Sequence, residues 1–125
     1  MNLGKLFTAD NHESGADIEI LDTDLAKTGI TIRIKGIDSP TYREVQAAAE
    51  REYIASGYKR EQTIAERLAA LTIGWDGMPN PDGSGLLEFS TENAEMIYRK
   101  GPFIAEQVNR AMANRANFMK TSPQE

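Results

Sequence analysis

The sequence predicts an α+β domain, mainly helical, in which an N-terminal β-hairpin is followed by about four helices. Three observations carry that expectation. Residues 17–21 and 30–35 alternate apolar and polar side chains, the period of a half-buried strand. From Ser39 onward apolar residues recur at spacings of three and four, the period of an amphipathic helix. Glycine and proline at 57, 76–85 and 101–102 then cut the helical part into separate segments.

Residues 1–16 mix Gly, Asp, Asn and Ser with few apolar groups and read as a flexible N-terminal arm, with Leu3, Leu6 and Phe7 able to dock elsewhere. The single globular domain is expected over 17–119, divided into a hairpin at 17–36 and a helical part at 39–119. Residues 120–125 form a polar C-terminal tail. In the second strand Ile30, Ile32 and Ile34 point one way, and Thr31, Arg33 and Lys35 the other. No other segment reads as a strand. Two strands alone are marginal in water, so the isoleucine face must lie against helices or another chain. The hairpin also keeps an unpaired edge, a common route to association.

Ser39-Pro40 opens the first long helix, because serine caps free N–H groups and proline at the first position loses no bond. Tyr42, Val45, Ala49 and Tyr53 form its stripe, and Gly57 stops it. A second helix from about residue 61 carries Ile64, Leu68, Leu71 and Trp75. Trp75 is expected to anchor the core, its indole N–H bonded to a carbonyl of the loop that follows. After the loop at 76–85, Ser90 caps a short helix with Glu92 in its first turn. Ala94, Ile97 and Tyr98 form its apolar face, with Arg99 and Lys100 near its C-terminus. Gly101-Pro102 ends it, and a last helix runs from Phe103 to about Phe118.

The chain has 125 residues, 40% of them hydrophobic and 26% charged, which suits one soluble domain. A net charge of -5 argues against nucleic-acid phosphates or an anionic membrane as partners and leaves neutral or basic proteins. There is no cysteine, hence no disulfide and no thiolate metal site. No run approaches the roughly 18 apolar residues of a membrane span, and the first fifteen residues lack a signal-peptide core. A cytoplasmic location is expected.

No catalytic constellation is visible, and the chain is not expected to be an enzyme. His12, the one histidine, sits in the arm and reads as a solvated residue without the shielded site a base needs. The acidic loop at 76–88 fails the EF-hand register: with Gly83 at the required glycine, Met78 and Phe89 fall on ligand positions. Gly83-Ser84-Gly85 has neither the lysine nor the preceding strand of a phosphate loop. No metal or cofactor is expected. The last helix offers Phe103, Met112, Phe118 and Met119, large adaptable groups suited to binding, although Ile104, Val108 and Met112 fit the core better. Candidate contacts for a partner or a second copy are therefore Ile30, Ile32 and Ile34 on the hairpin, and Phe103, Met112, Phe118 and Met119 at the C-terminal end.

Several phrases resemble, in order and spacing, a family of tail assembly chaperones from long, non-contractile tailed phages. They are TGITIRIKGIDSPTYR at 28–43, LTIGW at 71–75, LEFSTEN at 87–93, PFIAEQV at 102–108 and NRANF at 114–118. The family pattern is similar, with a GW after a helix, a phrase like F-S-x-E-N, and a P-x-I-x-E-Q-V helix closing in Phe. The resemblance covers about residues 17–119, whereas 50–60 match no family phrase. It implies a protein of the host cytoplasm that binds the tape-measure protein, keeps it soluble and helps recruit tail-tube subunits. Such proteins are absent from the mature virion. The tube-binding piece is often carried on a longer form made by translational frameshifting, and self-association is expected. Two rival readings remain: a structural tail or head–tail joining protein retained in the virion, and a host-directed inhibitor or adaptor.

Overall fold

The computed structural model describes residues 3–119 as an α+β domain with a three-stranded antiparallel sheet. Strand β1 (Ala16–Leu21) pairs with β2 (Lys27–Ile34), and β2 pairs in turn with β3 (Thr72–Asp76). The first connection turns on Asp22, whose carboxylate accepts hydrogen bonds from Asp24 N (2.8 Å) and Ala26 N (3.0 Å). An aspartate that satisfies the backbone two residues on is a standard way to reverse the chain.

The third strand corrects the two-stranded expectation. Thr72-Ile-Gly-Trp continues the apolar spacing of the helix before it, so its helical stripe hides a strand. In the folded chain β-branched and aromatic side chains there prefer the pleated surface, and Trp75 lies opposite Ile32 rather than on a helix. The preceding helix is correspondingly short. With β3 in place, β2 is central and Ile30, Ile32 and Ile34 all point into the core, 9%, 0% and 0% exposed.

Among the described residues there are five α-helices: α1 (Ala9–Ser14) before the sheet, α2 (Pro40–Ala55) and α3 (Ile64–Leu71) between β2 and β3, then α4 (Thr91–Lys100) and α5 (Pro102–Ala113). Their starts obey local chemistry. Ser39 accepts from Tyr42 N at 3.0 Å and Ser90 from Asn93 N at 3.0 Å, while Thr63 and Glu66 form a reciprocal capping box at the head of α3. The last helix ends at Ala113, five residues before the expected end. There the Asn114 side chain accepts from Ala116 N at 3.1 Å and opens a 3-10 turn over Arg115–Phe118. Asparagine offers the backbone an alternative to the helical bond, and the helix yields to it.

The core is a single cluster in which Ile20 and the β2 isoleucines meet Leu68, Leu71, Ile97, Val108, Met112 and Phe118. Trp75 is half-buried at its border, edge-on to Phe89, and its indole donates to Leu87 O at 2.9 Å, the loop carbonyl the sequence led one to expect. Helix α2 contributes no fully buried residue; Tyr42, Val45, Ala49 and Tyr53 are only half covered.

The N-terminal arm is also corrected. His12, expected in solvent, is 0% exposed. Its ring lies against Gly36, where an added Cβ would stand 2.0 Å from Nδ1, and stacks on Phe118 with ring centroids 4.3 Å apart. Nδ1 accepts from Asp38 N at 2.9 Å, and His12 O accepts from Gly36 N at 3.0 Å. A helix of six residues has too few apolar positions to show a periodic signal, so the docking of α1 depends on partners 24 to 106 positions away. The polar tail expected at 120–125 lies outside the described residues.

Candidate partner-binding surfaces

Of the seven side chains proposed as partner contacts, five are core. Ile30, Ile32 and Ile34 cover the inner face of the sheet, and Met112 and Phe118 are 2% and 4% exposed. A partner cannot reach them without unfolding the domain. Phe103, near the start of α5, is 38% exposed, and Met119 is half-buried, its Sδ 3.6 Å from Asn11 Nδ2.

The sheet edges are blunted as well. Opposite Ile20 the β1–β2 ladder is interrupted, and the Thr28 hydroxyl donates to Ile20 O at 2.6 Å in place of a strand bond. Beyond it the Gln107 side chain occupies the backbone of Leu21. Strand β3 has five residues and carries Ile73 as an unopposed extra residue. Bulges, brevity and side-chain covers are devices that discourage strand addition.

Two concave surfaces among the described residues have apolar walls suited to a partner. The first lies between α3 and α5, with a volume of about 390 Å3. Ala65, Ala105 and the Tyr98 ring form its floor, Ile64 and Pro102 its apolar walls, and Glu106 and Asn109 its polar rim. Tyr98 is anchored by its hydroxyl, 2.7 Å from Thr72 Oγ1, and burial pushes its pKa up to about 12, so it stays neutral. Small residues on facing helices leave room for a third helix to approach closely.

The second, of about 770 Å3, lies where the two ends of the described chain meet. Leu6, Phe7, Ile37 and Met119 give it apolar walls, and Lys5, Arg43 and Arg115 stand at its side. Beneath it Asp38 ties three segments together. Arg115 donates to both its oxygens, at 2.7 and 2.9 Å, and the Thr8 hydroxyl donates to it as well. The hydrogen bonds from Arg115 hold the Asp38 carboxyl well below the usual carboxylate range.

His12, Asp38 and Thr8 match a catalytic triad in composition alone, and the order of their bonds is different. Thr8 bonds to Asp38, not to His12, and His12 Nδ1 is already used by a backbone N–H. The remaining nitrogen, Nε2, faces Asp38 Oδ2 at 3.6 Å and is sealed from solvent. Burial pushes the His12 pKa down, so the ring is neutral with its proton on Nε2. The cluster acts as a clasp between the N-terminal segment and the C-terminal 3-10 turn. A sequence signal for it existed in Gly36 and Asp38, which immediately follow the strand, but nothing local pointed from them to His12.

Among the described residues no group of three or more His, Cys, Asp or Glu side chains could hold a metal ion, and no helix is long and apolar enough to cross a membrane. Comparison with protein-family models, with curated proteins and with solved structures finds no match.

Proposed function

We propose that the chain is a tail assembly chaperone of a long-tailed phage, acting in the host cytoplasm. It binds the tape-measure protein, keeps it soluble, and helps recruit tail-tube subunits through a longer, frameshifted form. The observation that carries the reading is the α3–α5 groove, with its small-residue floor and apolar walls. Its shape suits one face of an amphipathic helix, the recognition mode expected for a long helical client. The ordered phrases that resemble the chaperone family point the same way, since LTIGW and PFIAEQV supply α3's exit and α5 itself. Modest affinity per site is appropriate, because assembly must later displace the chaperone as tube closes around the rod.

The test is co-expression with the tape-measure protein encoded beside it, scored by solubility and co-purification. Ile64→Asp and Phe103→Glu together place charge at the groove and next to it. Both positions are in the first turn of a helix, where an acidic residue favours the helix. Wild-type chain that holds the client in solution, with the double variant failing to do so at unchanged helix content, is the expected result. A client that co-purifies equally with both rules out the groove. A client that stays insoluble with the short and the frameshifted forms alike sinks the chaperone reading. The protein retained in the virion then becomes the better account, to be sought by mass spectrometry of purified particles.

A further inference from the structure

The two ends of the sheet differ in charge and shape. Residues 68–98 contain no lysine or arginine but include Asp76, Asp82 and Glu88 around the turn that follows β3. That turn is ordered from within. Asn80 N donates to Gly85 O at 2.7 Å and Leu87 N to Met78 O at 2.7 Å, Pro79 and Leu86 pair across it, and Met78 anchors it with 2% exposure. On this rigid support Leu86 is 74% exposed, beside acidic Glu88.

The terminal groove has the complementary character. Phe7 is 70% exposed there, with Leu6, Ile37 and Met119 around the same hollow. Its charged lining is three cations against two carboxylates, Asp10 and Asp38, and Asp38 is already taken by Arg115. Among the described residues neither Lys5 nor Arg43 has an ion-pair partner. On a chain of net charge -5 this is a local cationic, apolar site.

The two features lie at opposite ends of β2. Gly77 abuts Gly29 O at the strand's beginning, where an added Cβ would stand 2.3 Å away, whereas Gly36 and Asp38 follow its last residue. From Gly29 to Gly36 the extended chain runs seven residues, roughly 23 Å, so turn and groove cannot meet within one molecule. A shift along the strand direction brings the turn of one copy to the groove of another.

We propose that the 78–87 turn of one copy docks in the terminal groove of the next, so that copies join head to tail. Leu86 enters between Phe7 and Met119, and Asp82 with the flanking Asp76 and Glu88 faces Lys5 and Arg43. The pairing is heterologous: each copy offers one turn and one groove, and both remain available at the ends of any open chain of copies. Because turn and groove are preformed, little ordering entropy opposes the contact. This inference does not depend on the identity of the client, because it uses neither α3 nor α5.

Two variants test it by complementation. Leu86→Asp spoils the turn and leaves the groove; Phe7→Asp with Arg43→Glu spoils the groove and leaves the turn. All three side chains are exposed, and circular dichroism checks that the variants keep the fold. In sedimentation equilibrium at physiological salt, wild-type chain is expected to form a concentration-dependent series beyond dimer. Each variant alone should associate at least tenfold more weakly. An equimolar mixture of the two should restore association but stop at the dimer, because only one intact turn–groove pair survives. A monomeric wild type at millimolar concentration overturns the proposal, as does a variant that associates like wild type. A mixture with no dimer points to a symmetric contact elsewhere and overturns it too.

Discussion

The side-chain amide of Gln107 forms a two-pronged pair with the backbone of Leu21: Leu21 N donates to Oε1 at 2.9 Å, and Nε2 donates to Leu21 O at 2.9 Å. The amide thereby does for one residue of the edge strand what a neighbouring strand would do, and it fixes α5 against the sheet. A glutamine is suited to this because its amide presents one donor and one acceptor side by side, as a peptide group does.

Truncation of that contact has a definite consequence. Gln107→Ala leaves a half-buried N–H and C=O without partners and should lower stability by about 1–3 kcal/mol in urea denaturation. Gln107→Glu keeps the acceptor but turns an oxygen toward Leu21 O. Its loss should be larger at neutral pH than at pH 4, where the protonated carboxyl can donate again.

The clasp predicts a pH profile. His12, Glu13 and Asp38 all have folded-state pKa values below their ordinary ones: His12 through burial, Glu13 at about 2 through hydrogen bonds from Lys35 and Thr41, and Asp38 through Arg115. For each, the unfolded chain binds the proton first, so the contribution to stability is full above the unfolded pKa and is lost as pH falls toward the folded one. Erosion from His12 should begin below about pH 6.5, and that from Glu13 between about 4.5 and 2. His12→Asn keeps an acceptor for Asp38 N. It should flatten the urea midpoint between pH 7 and 5 while lowering it overall, and Glu13→Gln should flatten only the acid limb.

Gly36→Ala should act on the same clasp from the other side. A methyl group there occupies the position of the His12 ring, which must leave its stack on Phe118. The expected readout is rapid amide exchange confined to α1 and the 3-10 turn at Arg115–Phe118, with β2 protection retained. Uniform loss of protection would mean that the clasp is part of the global folding unit.

Ile32→Asp should abolish folding rather than dissociate an assembly, because Ile32 is 0% exposed in the middle of the sheet. A buried unpaired carboxylate costs far more than the domain's margin of stability. Ile32→Val, by contrast, should cost about 1 kcal/mol and leave the oligomeric state unchanged. Circular dichroism and light scattering separate the two effects.

Local chemistry made much of this fold legible. Ser39-Pro40, Ser90 and Gly101-Pro102 mark helix boundaries because caps and breakers act within four residues. The alternation of Ile30, Ile32 and Ile34 announced a strand with one apolar face. It could not announce whether helices or another molecule cover that face, and here the helices do. Strand β3 escaped because Leu68, Leu71 and Trp75 keep helical spacing across a change of conformation that β2 imposes from outside. His12 escaped because its burial depends on Gly36, Asp38 and Phe118, brought together only by the tertiary structure. The binding surfaces escaped for a similar reason: Phe103 was in view, but Ile64 and Ala105 form a groove only once α3 and α5 are side by side.

The stack of His12 on Phe118 also sets an order of events during synthesis. Residue 12 leaves the ribosome early, yet the ring that covers it is added more than a hundred residues later, after every strand and helix has been made. Until then α1 has only half a berth, and the groove lined by Phe7 and Arg115 does not exist. A nascent or truncated chain that lacks Phe118 contains all three strands of the sheet but cannot complete the clasp. Closure of the clasp therefore requires that translation has passed residue 118, and surfaces that depend on it become competent only after that point.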